Sequence, residues 1–183
     1  MRFHKAQAAL EYLTTYGWAV MVLIIVIAVL FYIGVLNPSQ PLACSFRTPG
    51  LSCASYKVTT EGELSLRIGQ LTGKTIRVKA IGCTQRDIQP TKENIEGLKD
   101  ECALSEAEIG GTGIAIQSGS DAEILADTTK LKCCELDSAG AEVVTSGNVG
   151  ETYKGKIYVY YDEKETKLEH VAIAELSTRY EPE

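Results

Sequence analysis

Two kinds of apolar patterning divide the chain. From Trp18 to Leu36, nineteen consecutive residues are apolar or small, and a helix rising about 1.5 Å per residue could cross a hydrocarbon layer of roughly 30 Å with that length. Asn37-Pro38 predicts the end of this helix, because proline lacks a backbone N–H and disfavours helix before it. After Cys44, apolar and polar residues alternate in short runs, which is typical of strands.

This division predicts an α+β protein, in which a long N-terminal hydrophobic α-helix is followed by an antiparallel β-sandwich-like head domain. Three glycine-rich or charged turns predict hairpins between alternating segments: 63–68 with 75–81, 113–118 with 122–126, and 154–161 with 168–176. The charged segment from Asp162 reads as a solvated turn, and the polar segment from Pro90 to Glu108 as a loop or a short helix.

The net charge of the chain argues against some classes of function. The formal net charge is -6, from 18 Lys and Arg against 24 Asp and Glu. Nucleic-acid binding needs cationic charge to neutralise phosphates, so the sequence predicts no nucleic-acid partner. The basic residues Arg2 and Lys5 precede the apolar run, and this short positive segment predicts a cytoplasmic N-terminus with the head outside.

All six cysteines follow the apolar segment: Cys44, Cys53, Cys83, Cys102, Cys133 and Cys134. An even number in an exported domain predicts disulfides, although six cysteines allow 15 pairings. Cys133 and Cys134 cannot easily bond each other, because adjacent residues strain the bridge, so each is expected to pair with a distant cysteine. A local Cys44–Cys53 bridge is a candidate. Without a Cys-x-x-Cys motif and with two histidines, the sequence predicts no metal site.

Catalytic chemistry has little support in the head. Gly110-Gly111-Thr112-Gly113 lacks the third glycine and the βαβ context of a dinucleotide site. His170 lies in an alternating segment and is expected to be an exposed strand residue rather than a base. We therefore expect a protein that is not an enzyme, with no catalytic residue and no cofactor.

Glu11 is the anomaly of the N-terminal segment, because an acidic residue at the head of an apolar helix is costly and usually marks a function. It is the fifth residue counted from Gln7 in the string Lys5-Ala6-Gln7-Ala8-Ala9-Leu10-Glu11-Tyr12-Leu13. This string, followed by the long apolar run, resembles the class III signal peptides of archaeal type IV pilins. The resemblance covers about the first 36 residues.

The resemblance implies cleavage between Ala6 and Gln7, which makes 1–6 a leader, 7–36 a transmembrane and filament-core helix, 37–41 a linker and 42–183 an extracellular head. It also implies that Gln7 and Glu11 act in assembly. The new amino group of Gln7 could pair with Glu11 of a neighbouring chain, or with Glu11 of its own chain one helical turn away.

A type IV pilin would be a structural subunit of a surface filament used for adhesion, and its main partner would be itself in a helical homopolymer. The resemblance further implies a prepilin peptidase, an assembly ATPase and a membrane platform protein as partners, and a stay in the cell membrane before assembly. The alternative is an uncleaved, single-span, membrane-anchored extracellular binding domain.

Overall fold

The computed structural model describes residues 4–32, 41–99, 101–124 and 130–183, with the side chains of the first helix described from Tyr16 onward. The chain forms two compact units, Met1–Gln40 and Pro41–Glu183. In the described residues, the first unit contains a helix and the second is built on a sheet.

Unit one contains helix α1 (His4–Tyr32). Its β-branched residues do not prevent the helix, because a helix satisfies its backbone N–H and C=O groups within the segment itself. Across the described ranges, no helix combines the length and the apolar content that crossing a membrane requires. The prediction of a membrane-length hydrophobic helix is therefore corrected to a helix whose described side chains run from Tyr16 to Tyr32.

The described residues of unit two form mainly strands, together with the short helix α2 (Lys92–Glu96). Thr91 caps this helix, because its hydroxyl accepts a hydrogen bond from the Asn94 amide. The strands, in chain order, are β1 (Ala43–Phe46), β2 (Leu51–Thr59), β3 (Leu64–Gln70), β4 (Ile76–Thr84), β5 (Ala103–Leu104), β6 (Ile114–Ile116), β7 (Asp121–Glu123), β8 (Cys134–Leu136), β9 (Glu142–Val144), β10 (Thr152–Glu163) and β11 (Glu169–Glu181).

The predicted α+β class with an antiparallel β-sandwich-like head is wrong, because the eleven strands within the described ranges form one continuous sheet. Its order is β7-β3-β2-β11-β10-β4-β8-β9, with β1 added to β11 and with β5 and β6 added to β4. The length of β11 explains the difference. Residues 169–179 pair with β10, while Tyr180 and Glu181 run on to pair with Val58 and Thr59 of β2. Strand β11 thus joins two groups of strands, β7-β3-β2 on one side and β10-β4-β8-β9 on the other. Its pairing with β2 is parallel.

Two of the three predicted hairpins are also wrong. Strands β3 and β4 form where alternation predicted them, but β3 pairs with β2 and β7 whereas β4 pairs with β10 and β6. Strands β6 and β7 likewise pair with β4 and β3 rather than with each other. Both turns are corners at which the chain crosses between the two groups of strands. The third hairpin is confirmed, because β10 and β11 pair from Asp162–Glu169 to Thr152–Arg179.

The two corners are joined by one buried polar side chain. Gln70 is 1% exposed, and its Nε2 donates hydrogen bonds to the carbonyls of Lys74 and Ile116 at 2.7 and 2.9 Å. Its Oε1 accepts from the amide and hydroxyl of Thr72 at 2.9 and 2.8 Å. A buried amide is stable only when such bonds are complete, so Gln70 fixes the turns at which the sheet changes direction.

The core lies where the two groups of strands meet. Leu66 and Ile68 of β3 pack in one cluster with Val78 and Ile81 of β4 and with Val159 of β10. The opposite face of β10 carries Tyr158 and Tyr160, which pack with Ile95 of α2. The central strands are therefore buried on both faces, which holds the remaining loops and edges of the head in place.

Candidate functional site

The apolar surface of α1 is the feature of the described residues most suited to binding another protein chain. Thirteen large apolar side chains between Tyr16 and Tyr32 are 41% to 92% exposed in the single chain. They lie on every side of the helix, because consecutive residues from Val20 to Ile27 are all exposed. Monomeric soluble proteins rarely leave a contiguous apolar patch larger than a few hundred Å² uncovered. This surface is therefore the candidate site for association.

The predicted processing and assembly residues fall at the other end of the same helix. Ala6, Gln7 and Glu11 lie within the span of α1, but their side chains are outside the described residues. Cleavage after Ala6 and pairing of the Gln7 amino group with Glu11 therefore stay predictions. The linker predicted at 37–41 falls outside the described residues except for Pro41.

Three disulfides cross-link the head, which confirms the prediction from the cysteine count. They join Cys44 to Cys53, Cys83 to Cys133, and Cys102 to Cys134. Adjacent residues of an extended segment point to opposite faces. Cys133 accordingly enters the main core, while Cys134 enters the separate cluster around Leu98 and Ala103. Sequence reasoning separated Cys133 from Cys134 but could not choose their partners.

A buried ion cluster at the β4–β10 pair was missed by the sequence reasoning. The sequence predicts that Asp162 begins a solvated turn, but Asp162 belongs to β10 and its side chain is 2% exposed. Arg77 donates two hydrogen bonds to its carboxylate, at 3.1 and 2.7 Å, and the Nζ of Lys79 lies 3.0 Å away. The cue was the spacing of Arg77 and Lys79, which puts two cations on one face of a strand.

The partners of Asp162 determine its chemistry. The hydrogen bonds from Arg77, joined by those from Lys79, hold the pKa of the Asp162 carboxyl below its usual range, although burial acts in the opposite direction. The carboxylate stays ionised and both of its oxygens are already engaged. It therefore acts as a structural anion that keeps β4 and β10 in register, where Arg77 is the direct partner of Asp162.

His170 is confirmed as a partly exposed strand residue. It belongs to β11, and its imidazole stacks on the ring of Tyr161 with centroids 5.4 Å apart. Its Nε2 lies 3.9 Å from an oxygen of Glu163. Glu163 is itself held by Lys74 at 2.6 Å, which lowers the pKa of this carboxyl. Lys74 and Glu163 thus form an ion pair beside His170 at the β10–β11 turn.

Within the described residues, one carboxylate group has metal-like spacing. Glu61, Glu63 and Glu183 place one oxygen each within 4.8 Å of one another. Lys130 lies 2.7 Å from Glu63 and already neutralises part of this charge. A separate open pocket of about 360 Å³ lies beside α2 and is lined mainly by polar residues such as Arg86, Gln89 and Asn94. Neither feature brings a nucleophile together with a base.

Comparison with protein-family models, with curated proteins and with solved structures finds no match to this chain.

Proposed function

We propose that the chain is a structural subunit of a surface filament of the archaeal type IV pilin kind. The observation that carries the proposal is the apolar surface of α1, where thirteen large side chains between Tyr16 and Tyr32 are 41% to 92% exposed. The helices of successive copies would pack against one another and form the polymer core. The heads would face outward for attachment, a role that requires no catalysis.

The energetics of helix packing support this role. Burying one large apolar side chain stabilises a contact by about 1.5–3 kcal/mol. Covering half a dozen of the exposed side chains of α1 thus offers on the order of 10 kcal/mol per copy before the entropic cost of association. The proposed contacts between successive copies are heterologous, and they propagate into a helical polymer when the rotation between copies does not close a ring.

The head suits an exposed position on such a polymer. Three disulfides are typical of proteins that work in an oxidising environment outside the cytoplasm. The proposal includes removal of residues 1–6 by a prepilin peptidase, and assembly by an ATPase and a membrane platform protein. Gln7 and Glu11 are proposed to set the stagger between neighbouring helices through an amine–carboxylate pair.

The first test is the N-terminal peptide of the protein recovered from its native cell surface. The proposal expects a chain that begins at Gln7 and filaments visible by electron microscopy. Glu11→Ala should abolish the filaments, whereas Glu61→Ala, which removes an exposed glutamate of the head, should leave them intact. A surface protein that still begins at Met1 and forms no filaments would support the alternative of an uncleaved anchored binding domain.

A second test addresses the apolar surface itself. Ile25→Lys introduces a charge at the middle of the exposed surface of α1, where Ile25 is 52% exposed. A charge buried among apolar helices is expensive, so the variant should fail to polymerise. Leu71→Lys makes the same kind of change at a head residue that is 76% exposed and should leave polymerisation unchanged. Equal polymerisation of both variants would overturn the proposal.

A further inference from the structure

The three disulfides differ in their access to solvent. The cysteines of two of them, Cys83–Cys133 and Cys102–Cys134, are all 0% exposed. Cys44 and Cys53 are both half-buried and pack only at the margin of the main core. Thiol–disulfide exchange requires a thiolate to reach a sulfur atom. The folded head therefore offers the Cys44–Cys53 bond to an external thiol and shields the other two bonds.

This accessible bond secures a weakly held strand. Strand β1 pairs with β11 at four positions, from Ala43–Ser177 to Phe46–Ala174. In the described part of the chain, β11 is the one strand to which β1 is hydrogen-bonded. None of the four β1 residues is fully buried. Cys44 is the second residue of β1, and its bond to Cys53 ties the strand to β2, which pairs with β3 over most of its length.

Strand β1 also occupies a gap along the edge of β11. On one side β11 pairs with β10 over residues 169–179. On its other side, β1 covers residues 174–177 and β2 covers Tyr180 and Glu181. Detaching β1 would leave the backbone of β11 from Ala174 to Ser177 without its partner on that side. An unpaired strand edge of this kind is a template for pairing with another strand.

We propose that Cys44–Cys53 is a thiol–disulfide exchange site, and that its reduction by an external dithiol releases β1 and opens the edge of β11. A thiolate of the dithiol attacks one sulfur, forms a mixed disulfide and displaces the other cysteine as a thiolate, which takes up a proton. The second thiol of the reagent then attacks the mixed disulfide and frees the remaining cysteine. Two electrons pass to the protein, and the reagent becomes a disulfide.

The local structure explains why β1 leaves once the bond opens. The disulfide closes a loop between residues nine positions apart, so its loss lets the segment from Cys44 to Cys53 explore many more conformations. After reduction, β1 is held by its short ladder, by the partly buried Phe46 at the margin of the main core, by the bond from the Arg47 amide to the Ile173 carbonyl at 2.9 Å, and by an exposed ion pair between Arg47 and Glu175. Exposed ion pairs contribute little.

The test is reduction of the full-length folded protein by dithiothreitol, followed by alkylation and peptide mapping. Cys44 and Cys53 should be labelled at least about ten times faster than the four shielded cysteines. Amide hydrogen exchange should then rise at 43–46 and 174–177 and stay unchanged in the paired segments of β4 and β10. Equal labelling of all six cysteines, or selective labelling without faster exchange in β1, would overturn the inference.

A pair of matched variants tests the same point without reductant. Cys44→Ser with Cys53→Ser should reproduce the rapid exchange of β1 in a head that is otherwise folded. Cys102→Ser with Cys134→Ser removes a shielded bond and should leave β1 exchange unchanged. If this second variant does not fold, the selective labelling of the unmodified protein still decides the question. Both measurements use single chains, so they can fail independently of any failure in filament assembly.

Discussion

Large apolar residues are exposed in the helix of the first unit and buried in the core of the head. In α1, Ile25 is 52% exposed among neighbours that are also apolar and exposed, whereas Ile81 of β4 is 0% exposed and belongs to the main core. The head completes its core with its own strands and disulfides. In the described part of its unit, the large apolar side chains of the helix are exposed. Identical substitutions in the two units should therefore have different consequences.

The largest difference in stability is expected for isoleucine. Ile81→Ala should lower the free energy of unfolding of the head by about 4 kcal/mol, because it removes buried methyl groups and leaves a cavity in a packed core. The measurement is urea unfolding in detergent. It is monitored by the near-ultraviolet circular dichroism of the buried tyrosines Tyr153 and Tyr158.

Ile25→Ala is the matched control for this experiment. It removes the same atoms from an exposed position, and it should change the free energy of unfolding of the head by less than about 0.5 kcal/mol. A comparable loss in both variants would contradict the view that burial of the isoleucine decides its contribution to the stability of the head.

Aspartate provides the next comparison, within the head. Asp162→Asn should cost about 3 kcal/mol, because it removes the charge that compensates Arg77 and Lys79 where the carboxylate is buried. Asp121→Asn breaks the exposed pair with Arg67, whose Nε lies 2.9 Å away, and should cost less than about 1 kcal/mol. Similar losses in both variants would mean that burial does not decide the contribution of an ion pair in this head.

The pH dependence of stability gives an independent measure of the same cluster. Because the folded head holds the pKa of Asp162 below its usual value, the contribution of this group is complete above its unfolded pKa of about 3.9. It is lost as the pH falls through the folded pKa. Between about pH 5 and pH 2, the unmodified protein should therefore lose more stability than Asp162→Asn does. Parallel pH profiles would contradict the assignment.

The sequence predicts features that depend on neighbouring residues, and its errors concern features that depend on residues far apart in the chain. Alternation located β3, β4, β10 and β11, because burial on one face leaves a period of two in the sequence. It could not say that β3 and β4 lie on different sides of a corner, since their pairing depends on Gln70 and Ile116, which are 46 residues apart. Asp162 was misplaced for the same reason, because its partner Arg77 is 85 residues away.

The candidate site likewise has features that consecutive residues reveal and features that only the folded chain creates. Apolar content located the exposed surface of α1 directly, because it is a property of consecutive residues. The cysteine count predicted disulfides, and the strain of a bond between adjacent residues separated Cys133 from Cys134. The identity of their partners could not be predicted, because Cys83 and Cys102 are brought near by the folding of β4 and β5.

Glycine gives a smaller contrast between the two units. A Cβ added at Gly147 would lie 2.2 Å from the ring of Tyr180, which is buried and packs edge-on against Tyr153 at 6.1 Å. Gly147→Ala should therefore destabilise the head by about 2 kcal/mol, because the ring has to move within a packed core. Urea unfolding measures this loss.

Gly17→Ala is the control, because a Cβ at Gly17 meets nothing within 4 Å. In α1 it should raise helix stability by up to about 1 kcal/mol through intrinsic propensity and leave the unfolding of the head unchanged. If Gly147→Ala is also neutral, the Tyr180 ring has freedom that its contacts do not indicate.

The smallest effect is expected at the turn between β10 and β11, where Lys167 has a φ of 55°. A left-handed conformation costs a residue with a side chain about 1 kcal/mol relative to glycine, and the greater freedom of glycine in the unfolded chain offsets part of that difference. Lys167→Gly should thus raise the free energy of unfolding by about 0.5 kcal/mol. Lys164→Gly, in the same turn but without a positive φ, should lower it by a similar amount. Because both variants remove one exposed lysine, their difference isolates the backbone. Equal urea midpoints would mean that the left-handed residue carries no strain, and that the register of β10 with β11 alone determines the stability of this turn.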